Sequence, residues 1–152
     1  MLVNAAEDSF RQGIDAFEEG RGREAMAFFE AAIKLEKRFG ARMPQARYLS
    51  HYGLCLGTVM QRRHEGVRYC KEAAQLETYN ADIQCNLGRV LLAAGIRKEA
   101  YRAFVSGLKM DPGHAGIVRE LKQMGIRRRP VLPFLSRDNR LNIFLGRMRS
   151  SG

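Results

Sequence analysis

The stretch NADIQCNLGRVLLAAGIRKEAYRAFVSGLKMDP, residues 80–112, predicts two amphipathic helices joined by one tight turn at Gly95. Apolar residues recur at helical spacing on both sides of that glycine, a pattern typical of helices with one buried face. They are Ile83, Leu87, Val90, Leu91, Ala94, Ala100, Phe104, Leu108 and Met110. The small residues Gly88 and Ala100 allow two helices of about four turns each to approach closely. Pro112 cannot continue a helix, so it marks the end of the unit.

Two further copies of this pattern precede it. The upstream copy keeps the intervals between small and aromatic residues, at Gly13, Gly20, Ala25, Phe29, Ala32 and Ile33. The middle copy has Leu54, Gly66, Cys70, Ala73, Ala74 and Leu76 in the corresponding places, and it carries Gln61 where Gly95 would fall. The frames begin at Ala6, Arg47 and Ala81, so the first interval is seven residues longer than the second. Residues 39–45 supply this excess and predict a longer loop or a helix extension.

The pattern resembles the tetratricopeptide repeat, a helix–turn–helix unit of 34 residues. The residues that carry the resemblance are Leu87, Gly88, Leu91, Gly95, Ala100, Phe104, Leu108, Asp111 and Pro112. The resemblance implies an all-α fold, a short α-solenoid of three such repeats at about residues 6–39, 47–80 and 81–114. Residues 113–125 then place Ile117, Leu121 and Met124 on one helical face. They predict a capping helix that completes a repeat domain spanning residues 1–125.

The 152-residue chain is long enough to bury one core without disulfides or metal ions. Its formal net charge is +10. Residues 1–121 hold 18 Lys and Arg against 15 Asp and Glu, or +3, whereas residues 122–152 hold 8 against 1, or +7. No window of eighteen uncharged apolar residues occurs, and the first ten residues carry acids where a signal peptide is basic. We therefore expect a cytoplasmic protein.

Residues 126–152 depart from the repeat and predict a basic C-terminal strap followed by an amphipathic helix. Two prolines favour extended backbone in the strap, and Ser136 is a candidate N-cap for a helix with Leu141, Phe144, Leu145 and Met148 on one face. The candidate contact residues of this tail are Arg127, Arg128, Arg129, Arg137, Arg140 and Arg147. They are compatible with binding to an anionic membrane, with binding to a nucleic acid, or with packing of the tail on the repeats. We favour packing, because the apolar sequence PVLPFL is unfavourable in water.

The resemblance also implies a ligand-binding surface, because the first helices of stacked repeats line a groove that binds extended or helical peptides. The corresponding residues here are Phe10, Ile14, Phe17, Tyr48, His51, Cys55, Asp82, Cys85, Asn86 and Arg89. This set is apolar and aromatic at one end and mixed at the other, which suits an apolar or amphipathic peptide. The alternative is that Phe10, Ile14 and Phe17 pack under the C-terminal tail or an N-terminal cap, because apolar stripes on helices usually belong to a core. Some members of the family hold a terminal carboxylate with Lys, Asn and Arg, but Phe10 and Ile14 occupy the matching places of the first repeat.

The sequence shows no catalytic or metal-binding pattern. Cys55, Cys70 and Cys85 are odd in number and lack a CxxC spacing, so we expect reduced thiols. A site made of His51, Cys55 and Cys85 is conceivable, but its spacing matches no zinc signature. We expect no enzymatic activity, no metal and no cofactor. The predicted function is a non-catalytic protein–protein interaction adaptor or scaffold. The alternative is a peripheral membrane or nucleic-acid binder acting through its basic C-terminal helix, and a homodimer is a further option.

Overall fold

The computed structural model describes residues 2–125, with side chains from residue 5 onward. This part of the chain forms seven α-helices: α1 Leu2–Glu18, α2 Gly22–Arg38, α3 Ala46–Thr58, α4 Arg63–Leu76, α5 Ala81–Ala93, α6 Arg97–Met110 and α7 Ala115–Gln123. The predicted all-α fold is confirmed. The predicted strap and tail helix at residues 126–152 lie outside the described residues. None of the seven helices is long and apolar enough to cross a lipid bilayer.

Consecutive helices form three hairpins, α1 with α2, α3 with α4, and α5 with α6. The second helix of each of the first two pairs also packs on the first helix of the next pair, and α7 packs on α5 and α6. The stack therefore has an inner layer made of α1, α3 and α5 and an outer layer made of α2, α4 and α6, as in other arrays of helix pairs.

The turn inside each hairpin contains one residue with left-handed backbone. Gly20 has a φ of +79°, Gly95 a φ of +78°, and Gln61 a φ of +59°. Side chains other than glycine rarely adopt this conformation, because the Cβ atom then crowds the backbone. The middle repeat thus makes the same turn as its neighbours although it lacks the turn glycine.

Glycines on the inner helices make room for aromatic rings of the outer helices. A Cβ atom built on Gly13 would lie 2.5 Å from Cε1 of Phe29, and Gly88 and Phe104 repeat this relationship in the third hairpin. Both rings are fully buried. Because no side chain fits between ring and helix, these two hairpins close around one aromatic side chain each.

The middle hairpin is packed differently. Leu54 and Cys70 occupy the places that a glycine and a phenylalanine fill in the other two hairpins, and both are buried. The backbones of α3 and α4 approach each other directly, since a Cβ atom on Gly66 would lie 2.8 Å from the Cα atom of Gly57 and 2.6 Å from the carbonyl oxygen of Gly53. Gly53 and Gly57 have no glycine in the corresponding places of the other two hairpins. They allow the close crossing of α3 and α4.

The longer first repeat contains both a helix extension and a longer loop. Helix α2 has 17 residues and α4 has 14. The loop of residues 39–45 turns at Gly40, with a φ of +88°. The Glu36 carboxylate accepts hydrogen bonds from the backbone and side-chain nitrogens of Gln45, both at 2.7 Å. These bonds fix the loop to the end of α2.

Candidate binding wall on the inner helices

The ten groove residues predicted from the sequence all lie on the inner helices α1, α3 and α5. Five of them are buried: Phe10, Tyr48, Cys55, Cys85 and Asn86. The other five reach the surface, and we refer to them as the inner wall: Ile14, Phe17, His51, Asp82 and Arg89. The predicted set therefore divides into residues that build the wall and residues that a ligand can contact.

An aromatic cluster supports the wall where α1 meets α3. The ring of Phe10 contacts the ring of Tyr48, with centroids 4.8 Å apart, and the ring of His51 at 5.2 Å. Phe29 of α2 lies 5.6 Å from Phe10 and 5.4 Å from His51. Such ring pairs stabilise a fold beyond the effect of buried area. Phe10 and Tyr48 therefore fix the spacing of the two helices.

A polar network that the sequence did not indicate holds the same junction. The Glu7 carboxylate accepts hydrogen bonds from the Tyr48 hydroxyl at 3.0 Å and from Nη1 of Arg47 at 3.2 Å. The Arg47 guanidinium also lies 5.1 Å from the ring centroid of Phe10. A possible signal was that Glu7 and Tyr48 both hold the second position of their repeat frames. Without a structure, however, nothing indicates that side chains 41 residues apart are in contact.

This network changes the proton affinity of its members. Burial raises the pKa of the Glu7 carboxyl, but the Tyr48 hydroxyl and the Arg47 guanidinium lower it more, so the net pKa is below the usual value. Burial and the hydrogen bond to Glu7 raise the pKa of Tyr48 to about 12. At neutral pH the junction therefore contains an ionised carboxylate between a cation and a neutral phenol.

His51 is the partly exposed polar group that α3 contributes to the wall. Its Nδ1 atom lies 2.9 Å from the carbonyl oxygen of Arg47. Because a carbonyl only accepts, Nδ1 carries the proton and Nε2 is a free acceptor. Burial lowers the pKa of His51, and its hydrogen bond to the carbonyl only partly offsets this, so the ring is neutral at pH 7. No other residue in the described part of the chain forms a hydrogen bond with Nε2.

The charged residues at the α5 end of the wall are already paired with the α7 region. Nε of Arg89 donates to Oε1 of Glu120 at 2.9 Å. His114 accepts from the backbone N–H of Ile117 through Nδ1, at 3.2 Å, so its Nε2 donates to Oδ1 of Asp82 at 2.8 Å. At this end of the wall Arg89 is therefore already in an ion pair, and the 80% exposed side chain of Asp82 is hydrogen-bonded through one carboxylate oxygen.

The remaining predicted residues have structural surroundings. Nδ2 of Asn86 donates to Oγ of Ser50 at 3.1 Å, and this buried bond joins α5 to α3. Burial raises the pKa of Cys55 to about 12 and that of Cys85 to about 11, so both thiols are protonated at neutral pH. Within residues 2–125 no three His, Cys, Asp or Glu side chains are arranged to hold a metal ion. The tail arginines Arg127, Arg128, Arg129, Arg137, Arg140 and Arg147 lie outside the described residues.

Solved structures with the same arrangement of helices are tetratricopeptide-repeat (TPR) domains. The Arabidopsis OM64 TPR domain is similar with a TM-score of 0.66 and 18% sequence identity, over 82% of this chain and 98% of that domain. The C-terminal TPR-containing domain of a putative FK506-binding protein from Plasmodium falciparum is similar with a TM-score of 0.56 and 16% identity, over 82% and 93%. No protein-family model and no curated protein matches the sequence. The chain has the TPR fold, as its repeat pattern predicted.

Proposed function

We propose that this protein is a non-catalytic protein-interaction module, an adaptor or scaffold, that binds a segment of a partner protein along the inner wall. The observation that carries the proposal is the partial exposure of Ile14 and Phe17, one helical turn apart on α1. Both pack on the buried core cluster that includes Phe10, whose ring contacts His51 of α3. An apolar surface beside a small number of hydrogen-bonding groups is a typical arrangement for peptide recognition.

The wall favours an apolar or amphipathic segment over an acidic one. An apolar side chain of the partner packs against Ile14 and Phe17, and an N–H or O–H group donates to Nε2 of His51. Arg89 is the cation of the wall, but Glu120 already occupies it. A carboxylate of the partner would have to displace Glu120, which leaves little net gain.

Peptides selected from a random library on the full chain test this proposal. Their affinity is measured by fluorescence polarisation for the wild type and for Phe17→Lys. We expect about a tenfold loss in the variant, because part of an apolar contact is replaced by a hydrated ammonium group. A change in salt concentration should alter the wild-type affinity little, since apolar contacts are not screened.

The matched control is Tyr79→Lys, which makes a comparable aromatic-to-lysine change in the loop between α4 and α5, where Tyr79 is 90% exposed. This variant should bind the selected peptides like the wild type. If both variants lost peptide affinity equally, or if neither lost any, the peptides would bind somewhere other than the inner wall.

A further inference from the structure

Charge is divided unequally between the two layers of the stack. The outer helices α2, α4 and α6 carry eleven Lys and Arg against six Asp and Glu, a net charge of +5. The inner helices α1, α3 and α5 carry three against five, a net charge of −2. Helices α4 and α6 alone account for seven basic and three acidic residues, or +4. The positive charge of the described repeats is therefore concentrated on the outer side of the second and third hairpins.

Two of these basic positions recur in both hairpins. Arg63 and Arg68 of α4 match Arg97 and Arg102 of α6, 34 residues further along the chain. We call these four residues, together with Lys98, the basic face, and all five are exposed. Side chains of the two helices meet, because Nζ of Lys71 on α4 lies 3.0 Å from Oε2 of Glu99 on α6. In the first hairpin Gly22 and Ala27 hold the two positions, so the feature belongs to the second and third repeats.

The nearest carboxylates form their ion pairs with residues outside the basic face. Glu65 pairs with Arg62, and Glu99 pairs with Lys71. The charge of Arg68 also contributes to the lowered pKa of Glu65, but among the described residues no carboxylate lies within ion-pair distance of Arg68, Lys98 or Arg102. The face therefore keeps a net positive charge that attracts anions.

We infer that the basic face docks on the surface of an anionic phospholipid membrane. Guanidinium groups bind phosphate oxygens in a bidentate manner. Each basic residue close to an anionic leaflet strengthens binding about fivefold.

The aromatic residues argue against a single-stranded nucleic acid as the ligand. Such ligands stack their bases on exposed rings that alternate with basic side chains. The ring next to Arg68 is that of Tyr69, which packs edge-on against Tyr52 with centroids 5.1 Å apart and lies under the Arg68 guanidinium at 4.9 Å. It is half-buried and already stacked, so it offers no platform for a base.

This surface is separate from the inner wall. A chain that docks on a membrane through its outer layer leaves its inner layer directed toward solvent. One molecule is then able to bind a lipid surface and a partner protein at the same time. The two activities can therefore be tested independently.

Co-sedimentation of the full chain with phospholipid vesicles tests the inference. Vesicles of phosphatidylcholine alone are compared with vesicles that contain about 30% phosphatidylserine. The test variant is the double substitution Arg68→Gln and Arg102→Gln, and its fold is checked by thermal unfolding. Its partition into anionic vesicles should fall about 25-fold, as expected for the loss of two basic residues at about fivefold each.

The matched control is Arg23→Gln with Arg38→Gln, which removes the same charge from exposed positions of α2. It should retain most of the wild-type binding, and the C-terminal tail is identical in both variants. Equal partition of the two variants, or no wild-type binding to anionic vesicles, would overturn the inference. Loss of affinity for a single-stranded oligonucleotide with unchanged vesicle binding would also overturn it and indicate a nucleic acid. The library-selected peptides should bind both variants like the wild type.

Discussion

The ring of Phe104 lies so close to Gly88 that a Cβ atom on the glycine would stand 2.2 Å from Cε1 of the ring. We therefore expect Gly88→Leu to destabilise the protein by about 1–3 kcal/mol, since the added atoms force α5 and α6 apart. Urea unfolding followed by circular dichroism measures the change. Ala27→Leu, at an exposed position of α2, is the control and should shift stability by less than about 0.5 kcal/mol. Near-wild-type stability of Gly88→Leu would contradict the close packing.

The middle hairpin provides a test of paired side-chain volume. Cys70→Phe alone should overpack the fully buried site and lower the free energy of unfolding by about 1–3 kcal/mol. The reason is that Leu54 stands where the other two hairpins have the glycine that makes room for a ring. Adding Leu54→Gly should recover part of that loss, with a coupling energy of about 0.5–3 kcal/mol. The recovery should stay incomplete, since Gly53, Gly57 and Gly66 hold α3 and α4 closer together. Strictly additive effects in the double-mutant cycle would mean that the two sites do not share space.

Gln61 adopts a left-handed backbone conformation that suits glycine better. Such a conformation costs an ordinary residue about 1–2 kcal/mol, whereas glycine loses about 0.5–1 kcal/mol more backbone entropy on folding. Gln61→Gly should therefore stabilise the protein by about 0.5–1 kcal/mol in urea unfolding. The reverse experiment at the equivalent turn, Gly95→Ala, should destabilise it although nothing lies within 4 Å of the added atom. The Gln61 side chain donates a hydrogen bond to the carbonyl oxygen of Thr58 and accepts one from Arg63. Destabilisation by Gln61→Gly would show that these two bonds outweigh the backbone strain.

Stability should depend on the protonation of His51. Burial lowers the folded-state pKa below the usual value of 6.5, so the unfolded chain takes up the proton at a higher pH. The stability that the neutral ring contributes is complete above about pH 6.5 and is lost as pH falls through the folded-state pKa. The urea concentration at the midpoint of unfolding should therefore decrease as the pH is lowered from about 7.5 to about 5.5. The variant His51→Gln should show a weaker dependence on pH.

His64, which is exposed, provides the control for the pH experiment. His64→Gln should keep the wild-type dependence. The unfolding measurements are made above about pH 5 because the pKa of Glu7 is also lowered in the folded state. Protonation of Glu7 would add a second loss of stability in more acidic solution. If His51→Gln retained the wild-type slope, another group would be responsible for it.

The helices were predictable because their signals are local. Gly95 and Pro112 mark where helices end, and the apolar residues between them repeat with the helical period, so the third hairpin follows from one short stretch. The same intervals between small and aromatic residues then placed the other two hairpins in the same frame. The register put Gln61 in the place of the turn glycine, but its left-handed backbone conformation is known only from the structure.

The division of the wall into buried and accessible residues was not predictable. Phe10, Ile14 and Phe17 share one stripe of α1, and helical periodicity cannot tell which of them the neighbouring hairpin covers. Contacts from Tyr48 and His51 of α3 settle this, and those residues are more than thirty positions away in sequence. The difference in net charge between the two layers was not predictable either, because a net charge summed along the sequence combines residues of the inner and the outer helices.

The replacement of glycine and phenylalanine by Leu54 and Cys70 in the middle hairpin has a consequence for how this protein can be recombined. Each hairpin carries both partners of its own close contact, a glycine against a phenylalanine in the first and third hairpins and Gly53 against Cys70 in the middle one. A chimera in which α3 precedes α6 would set Leu54 against Phe104, and one in which α5 precedes α4 would leave a void between Gly88 and Cys70. Whole hairpins are therefore the smallest segments that can be shuffled or duplicated in this array, and single helices are not.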